Sequence, residues 1–164
     1  MIRAASLPAC ALVAAIGCSQ TPLPGTQLGT FKVTGQSKTN TCGLGAPEPW
    51  VFDAQLSQDG STLYWSFMDG RPPASGPITS AGVASVKDTT TGNVDETDAS
   101  LGPCTLQRSD DLELTLGESS FTGTMTYGFT VTAGSDCTDQ LTASGGSYEA
   151  LPCTVSYSLT ASKQ

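Results

Sequence analysis

Residues 120–132 read Ser-Phe-Thr-Gly-Thr-Met-Thr-Tyr-Gly-Phe-Thr-Val-Thr. Phe121, Gly123, Met125, Tyr127, Phe129 and Val131 take one set of alternating positions, and Thr122, Thr124, Thr126, Thr130 and Thr132 the other. A period of two puts the apolar set on one face of a β-strand and the threonines on its solvent face. Threonine and the aromatics also favour strands over helices.

The same pattern recurs on either side. Gly29 to Ser37 sets Phe31, Val33 and Gly35 against Thr30, Lys32 and Thr34; Trp50 to Ser57 sets Trp50, Phe52, Ala54 and Leu56 against Asp53 and Gln55. Asp59-Gly60 supplies a hairpin turn into Ser61 to Met68, where Leu63, Trp65 and Phe67 face inwards. Pro72, Pro73 and Pro77 limit the next segment, Pro72 to Thr79, to an edge or irregular strand. Val83 to Thr89 follows. Cys104 to Leu116 is expected as a long strand whose inward set changes face between Leu106 and Leu112, absorbed by a β-bulge around Ser109-Asp110-Asp111. Cys153 to Ala161 closes the series with Val155, Tyr157 and Leu159 inward. No helix longer than about two turns is expected in residues 29–164.

That makes eight strands. In a meander of eight the first and last run antiparallel, so they can pair and close an all-β, eight-stranded antiparallel up-and-down barrel. Cys42, Cys104, Cys137 and Cys153 would then lie at one mouth, whereas seven strands would strand Cys42 at the other end. In strand order the chain resembles the lipocalin-like, or calycin, barrels over most of residues 29–162. That family opens on Gly-x-Trp with a late basic residue packed across the Trp. The matching residues here are Gly29-Thr30-Phe31 and Lys163. The resemblance implies the barrel and carries no particular ligand.

An export address precedes this body. Arg3 is followed by the apolar run Ala4 to Ile16, too short for the roughly 20 residues of a membrane-spanning helix, and Ala15-Ile16-Gly17 lead into Cys18. This arrangement resembles the lipobox of bacterial lipoproteins. The resemblance implies cleavage before Cys18, a diacylglycerol on its sulfur and acylation of the new N-terminus; Ser19, not Asp, implies the outer membrane. The expected organisation is a signal peptide at 1–17, a lipidated Cys18 with a Pro- and Gly-containing tether to residue 28, and the barrel domain at 29–164.

Loss of the signal also removes Cys10 and leaves six Lys and Arg against fifteen Asp and Glu, a net charge of −9. Such a surface repels nucleic acid and anionic headgroups, so membrane attachment falls to the lipid. Four cysteines remain for two disulfides in an oxidising compartment. Cys42–Cys104 with Cys137–Cys153 is the expected set, because the second bridge closes the loop between the last two strands. Cys42–Cys153 with Cys104–Cys137 joins neighbouring strands and is the alternative. It needs the chain after residue 132 to fold back.

Chemistry is thin. The chain has no histidine to activate a serine or ligate zinc, and no cofactor motif, so no metal or cofactor is expected. Asp88, Asp95, Glu96 and Asp98 read as a solvated acidic loop, not a Ca²⁺ loop. Asp110, Asp111 and Glu113 read as surface charge, not as a glycosidase carboxylate pair. The inward aromatics Phe31, Trp50, Phe52, Trp65, Phe67, Tyr127, Phe129 and Tyr157 form the one set with a binding character. The expected function is a non-enzymatic, lipid-anchored envelope module of structural or interaction type. The alternative is a lipocalin-like carrier of a small apolar ligand, favoured by a cavity at Trp50, Trp65 and Tyr127. A hydrolase using the acidic-loop carboxylates is the distant third.

Overall fold

The computed structural model describes residues 22–45, 47–94 and 102–164. The expected signal peptide, Cys18, and the acidic residues Asp95, Glu96 and Asp98 lie outside them. The described chain is all-β. Its strands are β1 (Thr26–Asn40), β2 (Trp50–Asp59), β3 (Thr62–Ser66), β4 (Ala74–Pro77), β5 (Val83–Val94), β6 (Cys104–Leu116), β7 (Ser120–Val131) and β8 (Cys153–Lys163). Two short 3₁₀ turns, Thr138–Gln140 and Thr142–Ser144, lie between β7 and β8.

All eight strands form one antiparallel sheet in the order β4-β3-β2-β1-β8-β7-β6-β5. The pairing of β1 with β8, from Phe31–Lys163 to Asn40–Val155, joins first strand to last. Sheet order therefore breaks between β4 and β5. There the chain makes a single bridge, Ile78 to Ala84, and one close approach: a Cβ on Gly76 would stand 2.0 Å from the Ser85 carbonyl oxygen. Continuing that antiparallel register towards the mouth would set Ala74 against Asp88 and Pro72 against Thr90. Two successive prolines there offer no N–H that could extend the pairing, and the edges part. The barrel is nearly closed, with a seam above Ile78.

The core fills one end of this barrel. Phe31, Leu56, Leu63, Trp65, Leu114, Phe121 and Leu159 are all buried. Phe121 lies 5.3 Å from Phe31 and 5.8 Å from Trp65, ring centre to ring centre. We call this the closed end. It holds the start of β1 and the end of β8, where Lys163 pairs with Phe31 in register and lays its stem against Gly29, not across an aromatic ring. The chain is packed from Leu23, whose side chain is buried, and Ser57 Oγ donates to the Pro24 carbonyl at 2.6 Å. The segment expected to be free tether up to residue 28 is thus already held at its C-terminal half.

Two expectations are corrected. β6 pairs with β5 and β7 without any register shift, so no bulge lies at Ser109-Asp110-Asp111. Cys104, Leu106, Leu112 and Leu114 all stand on one face and are buried. What interrupts the apolar series is a pair of polar residues on that same inner face, Arg108 and Asp110. The shifts in register fall instead in β1, between Gln27 and Gly29 and between Ser37 and Thr39.

The disulfides are also the alternative set. Cys42 is bonded to Cys153 and Cys104 to Cys137, with Cα separations of 5.0 and 4.7 Å. Both tie neighbouring strands at one mouth, as the eight-strand argument requires of the four positions. Cys42 lies two residues beyond β1, where that strand leaves β8. After β7 the chain does fold back: Thr132 N–H donates to the Thr105 carbonyl, and Thr105 N–H donates to Ser135 Oγ, which brings Cys137 over Cys104. The loop between Cys137 and Cys153 is held without a bridge of its own, through Tyr148 N–H to the Gln140 carbonyl and Glu149 N–H to the Cys42 carbonyl.

Candidate ligand-binding mouth of the barrel

Opposite the closed end the inner face is not filled. A cavity of about 940 Å³ opens along the seam. Residues 71–75 form one wall and the inner positions of β5, Val86, Asp88, Thr90, Gly92 and Val94, form the other. Its floor comes from Phe67, Leu106, Arg108, Asp110, Phe129 and Tyr148. A second cleft of about 280 Å³, lined by Trp50, Tyr127, Val155 and Tyr157, shares Arg71, Arg108 and Phe129 with the first. These volumes lie at the two ends of the range of small-molecule sites.

The aromatics singled out in sequence divide between these places. Trp65, Phe67 and Phe129 line the larger cavity, while Trp50, Tyr127, Phe129 and Tyr157 line the smaller cleft. Phe52 lines neither; it packs 4.2 Å from Trp50 and 5.4 Å from Phe67, ring centre to ring centre. Phe31 belongs to the closed end. Trp65 is the deepest wall of the cavity, and its indole N–H is buried with no hydrogen-bond partner among the described residues.

The polar residues at the mouth escape a reading by hydrophobic alternation. Arg108 and Asp110 stand two apart on β6, so both side chains point inwards. Their bond is a two-pronged fork: Nε to Oδ1 and Nη2 to Oδ2, each 2.6 Å. The Arg108 guanidinium also stacks 4.6 Å over the Tyr127 ring. Across the strand pair Asp88 is the register partner of Asp110 and lines the same cavity. Arg71 reaches the mouth from the loop after β3, stacked 4.0 Å over Phe67 and bonded through Nε to Asp69 at 2.8 Å. Burial, and then the Asp110 charge, push the Tyr127 phenol up to about 12.

Asp110 was read as surface charge beside Asp111 and Glu113; this is corrected, because Asp110 faces the barrel interior. Asp111 is on the outer face, bonded to Lys87 at 2.5 Å, and Glu113 is exposed there. Tyr148 was not expected at the site at all. It arrives on the long loop before β8 and meets Phe129 at 5.6 Å, ring centre to ring centre. The readable signal for Arg108 and Asp110 was their even numbering, in step with Leu106 and Leu112. For Tyr148 no local pattern exists. Among the described residues no group of three or more His, Cys, Asp or Glu is placed to hold a metal ion.

No family model, curated protein or solved structure matches the chain.

Proposed function

We propose that the protein is a lipid-anchored bacterial envelope module, not an enzyme, whose barrel binds a small amphiphile in its open mouth. The observation that carries the binding half is the 940 Å³ cavity, in which Trp65, Phe67, Leu106 and Phe129 stand beside the forked Arg108–Asp110 pair. A barrel meant only as a structural spacer has no need of a cavity of this size in its interior. The anchor half rests on the lipobox-like residues before Cys18 and on two disulfides that suit an oxidising compartment. The two halves fit together. Because β1 starts at the closed end, an anchor at Cys18 turns the mouth away from the bilayer.

The binding test is a titration of the mature chain with the neutral fluorophore N-phenyl-1-naphthylamine. Saturable fluorescence enhancement is expected, and Gly92→Trp should abolish it. Gly92 faces the cavity and a Cβ there meets nothing within 4 Å, so the indole fills the mouth without disturbing the packed end. Enhancement that survives Gly92→Trp would place the probe elsewhere and defeat the reading. The anchor test is separate: Cys18→Ala should abolish lipid labelling and membrane fractionation while the barrel stays folded.

A further inference from the structure

The cavity floor is not a neutral apolar surface, and its charges are arranged to reject one kind of ligand. Arg108 spends Nε and Nη2 on Asp110, so the pair carries no net charge. Among the described residues Nη1 of Arg108 has no partner. Asp88, opposite Asp110 in the β5–β6 register, accepts the Thr89 N–H at 2.8 Å through Oδ1, and among the described residues Oδ2 has no hydrogen-bond partner. The other cations at the rim each stand in an ion pair, Arg71 with Asp69 and Lys87 with Asp111 on the outer face, and Arg71 also faces Tyr127 and Asp110. Among the described residues the floor therefore offers the Arg108 Nη1 edge as a donor and an Asp88 oxygen as an acceptor, and, with each ion pair counted as neutral, Asp88 is the charge left over.

We propose that the mouth selects amphiphiles with an uncharged head group that both donates and accepts hydrogen bonds, as a primary amide does. Arg108 serves as donor to its oxygen and Asp88 as acceptor from its N–H. This rests on the reading of the barrel as a binding module and specifies its ligand. A carboxylate head would be a third negative charge beside Asp88 and Asp110, against an arginine whose fork is already filled. An ammonium head would satisfy Asp88 but must sit beside the Arg108 guanidinium. A group offering both an N–H and a carbonyl satisfies both sides and adds no charge, which is the arrangement a half-buried polar site rewards. The alkyl tail then lies along Val86, Leu106 and Phe129.

The experiment displaces N-phenyl-1-naphthylamine with three probes of one chain length: decanamide, decanoate and decylammonium. Decanamide should displace the dye at about tenfold lower concentration than either ion, the scale of one charge-assisted hydrogen bond exchanged for repulsion. Asp110→Asn empties the Arg108 fork, so decanoate should overtake decanamide. Arg108→Gln leaves two carboxylates facing the cavity, so decylammonium should overtake it. The double variant Arg108→Gln/Asp110→Asn removes opposite charges together and should keep decanoate weak. Should a single variant not fold, the order on the unaltered protein decides. Decanoate or decylammonium binding tightest there overturns the head-group assignment, as does an order unchanged in Asp110→Asn. Failure of the dye to bind at all overturns the binding reading itself, a different outcome from a wrong order.

Discussion

The two ends of the barrel are built from the same strands by the same alternation, yet the larger cavity, about 940 Å³, opens at one, and the other has a cleft of about 380 Å³ beside Phe31 and Ile78. At the closed end Phe31, Leu63, Leu114 and Phe121, from β1, β3, β6 and β7, are buried in one apolar cluster. At the mouth the same strands β6 and β7 contribute Arg108, Asp110, Tyr127 and Phe129. The difference lies in one missing neighbour. Where Ile78 bridges Ala84 the strand edges meet, and apolar side chains gain by packing behind them. Before β4, where Pro72 and Pro73 carry the chain away from β5, water reaches the inner face and polar side chains are tolerated there. A strand pattern thus sets which way a residue points, and the seam sets what chemistry it can carry.

The contrast is broken most strongly by truncation at the closed end. Phe121→Ala leaves a cavity among rings with no route for collapse and should cost about 3–5 kcal/mol. Phe129→Ala, half-buried beside space already open, should cost about 1–2 kcal/mol. Urea midpoints of the two variants test this. Equal losses would mean that the mouth is as tightly packed as the opposite end.

Next in size are the disulfides, both at the mouth. Removing either as a Cys→Ala pair should cost about 2–5 kcal/mol. Cys42–Cys153 spans 111 residues and Cys104–Cys137 spans 33, so a chain-entropy account makes loss of the former worse by about 1 kcal/mol. The reverse order, read from thermal or denaturant midpoints, would show that the fold-back over Cys104 matters more to the mouth than loop length does. Non-reducing peptide maps should link residue 42 to residue 153.

Much of this architecture is legible in the residues themselves. Alternation with threonine marks β7 over its whole length, and the prolines mark β4 as an edge. The even strand count, with four cysteines needing one mouth, argues for pairing of β1 with β8. What could not be read is instructive. A polar pair between Leu106 and Leu112 looks like a change of face, because a barrel interior is taken to be apolar; only the open seam licenses Arg108 and Asp110 inside. The disulfides depend on where loops of several residues turn after the strands end, and the turn through Thr132 and Ser135 is fixed by bonds to Thr105 far away in sequence. The seam itself was hidden because closure through β1 and β8 moves the break to β4 and β5.

The smallest expected effect at neutral pH belongs to Tyr127→Phe, which removes a hydroxyl at the mouth and leaves the ring to stack under Arg108. The cost should be about 1 kcal/mol, the scale of one polar contact, here that of the phenol with Arg71. Its pH dependence is more telling. Burial and the Asp110 charge raise the folded-state phenol to about 12, above its ordinary value near 10. The folded chain keeps a proton that the unfolded chain releases, so the contribution is intact below about pH 10 and is lost as pH rises towards 12. Tyr148 and Tyr157 are raised by burial as well, so the unaltered protein loses stability over this range from more than one site. Tyr127→Phe should make that loss shallower, and should remove the last-titrating component of the phenolate absorbance. Were the slope unchanged, Tyr127 would titrate freely, and the floor of the mouth would be wetter than its contacts with Arg108 and Trp50 imply.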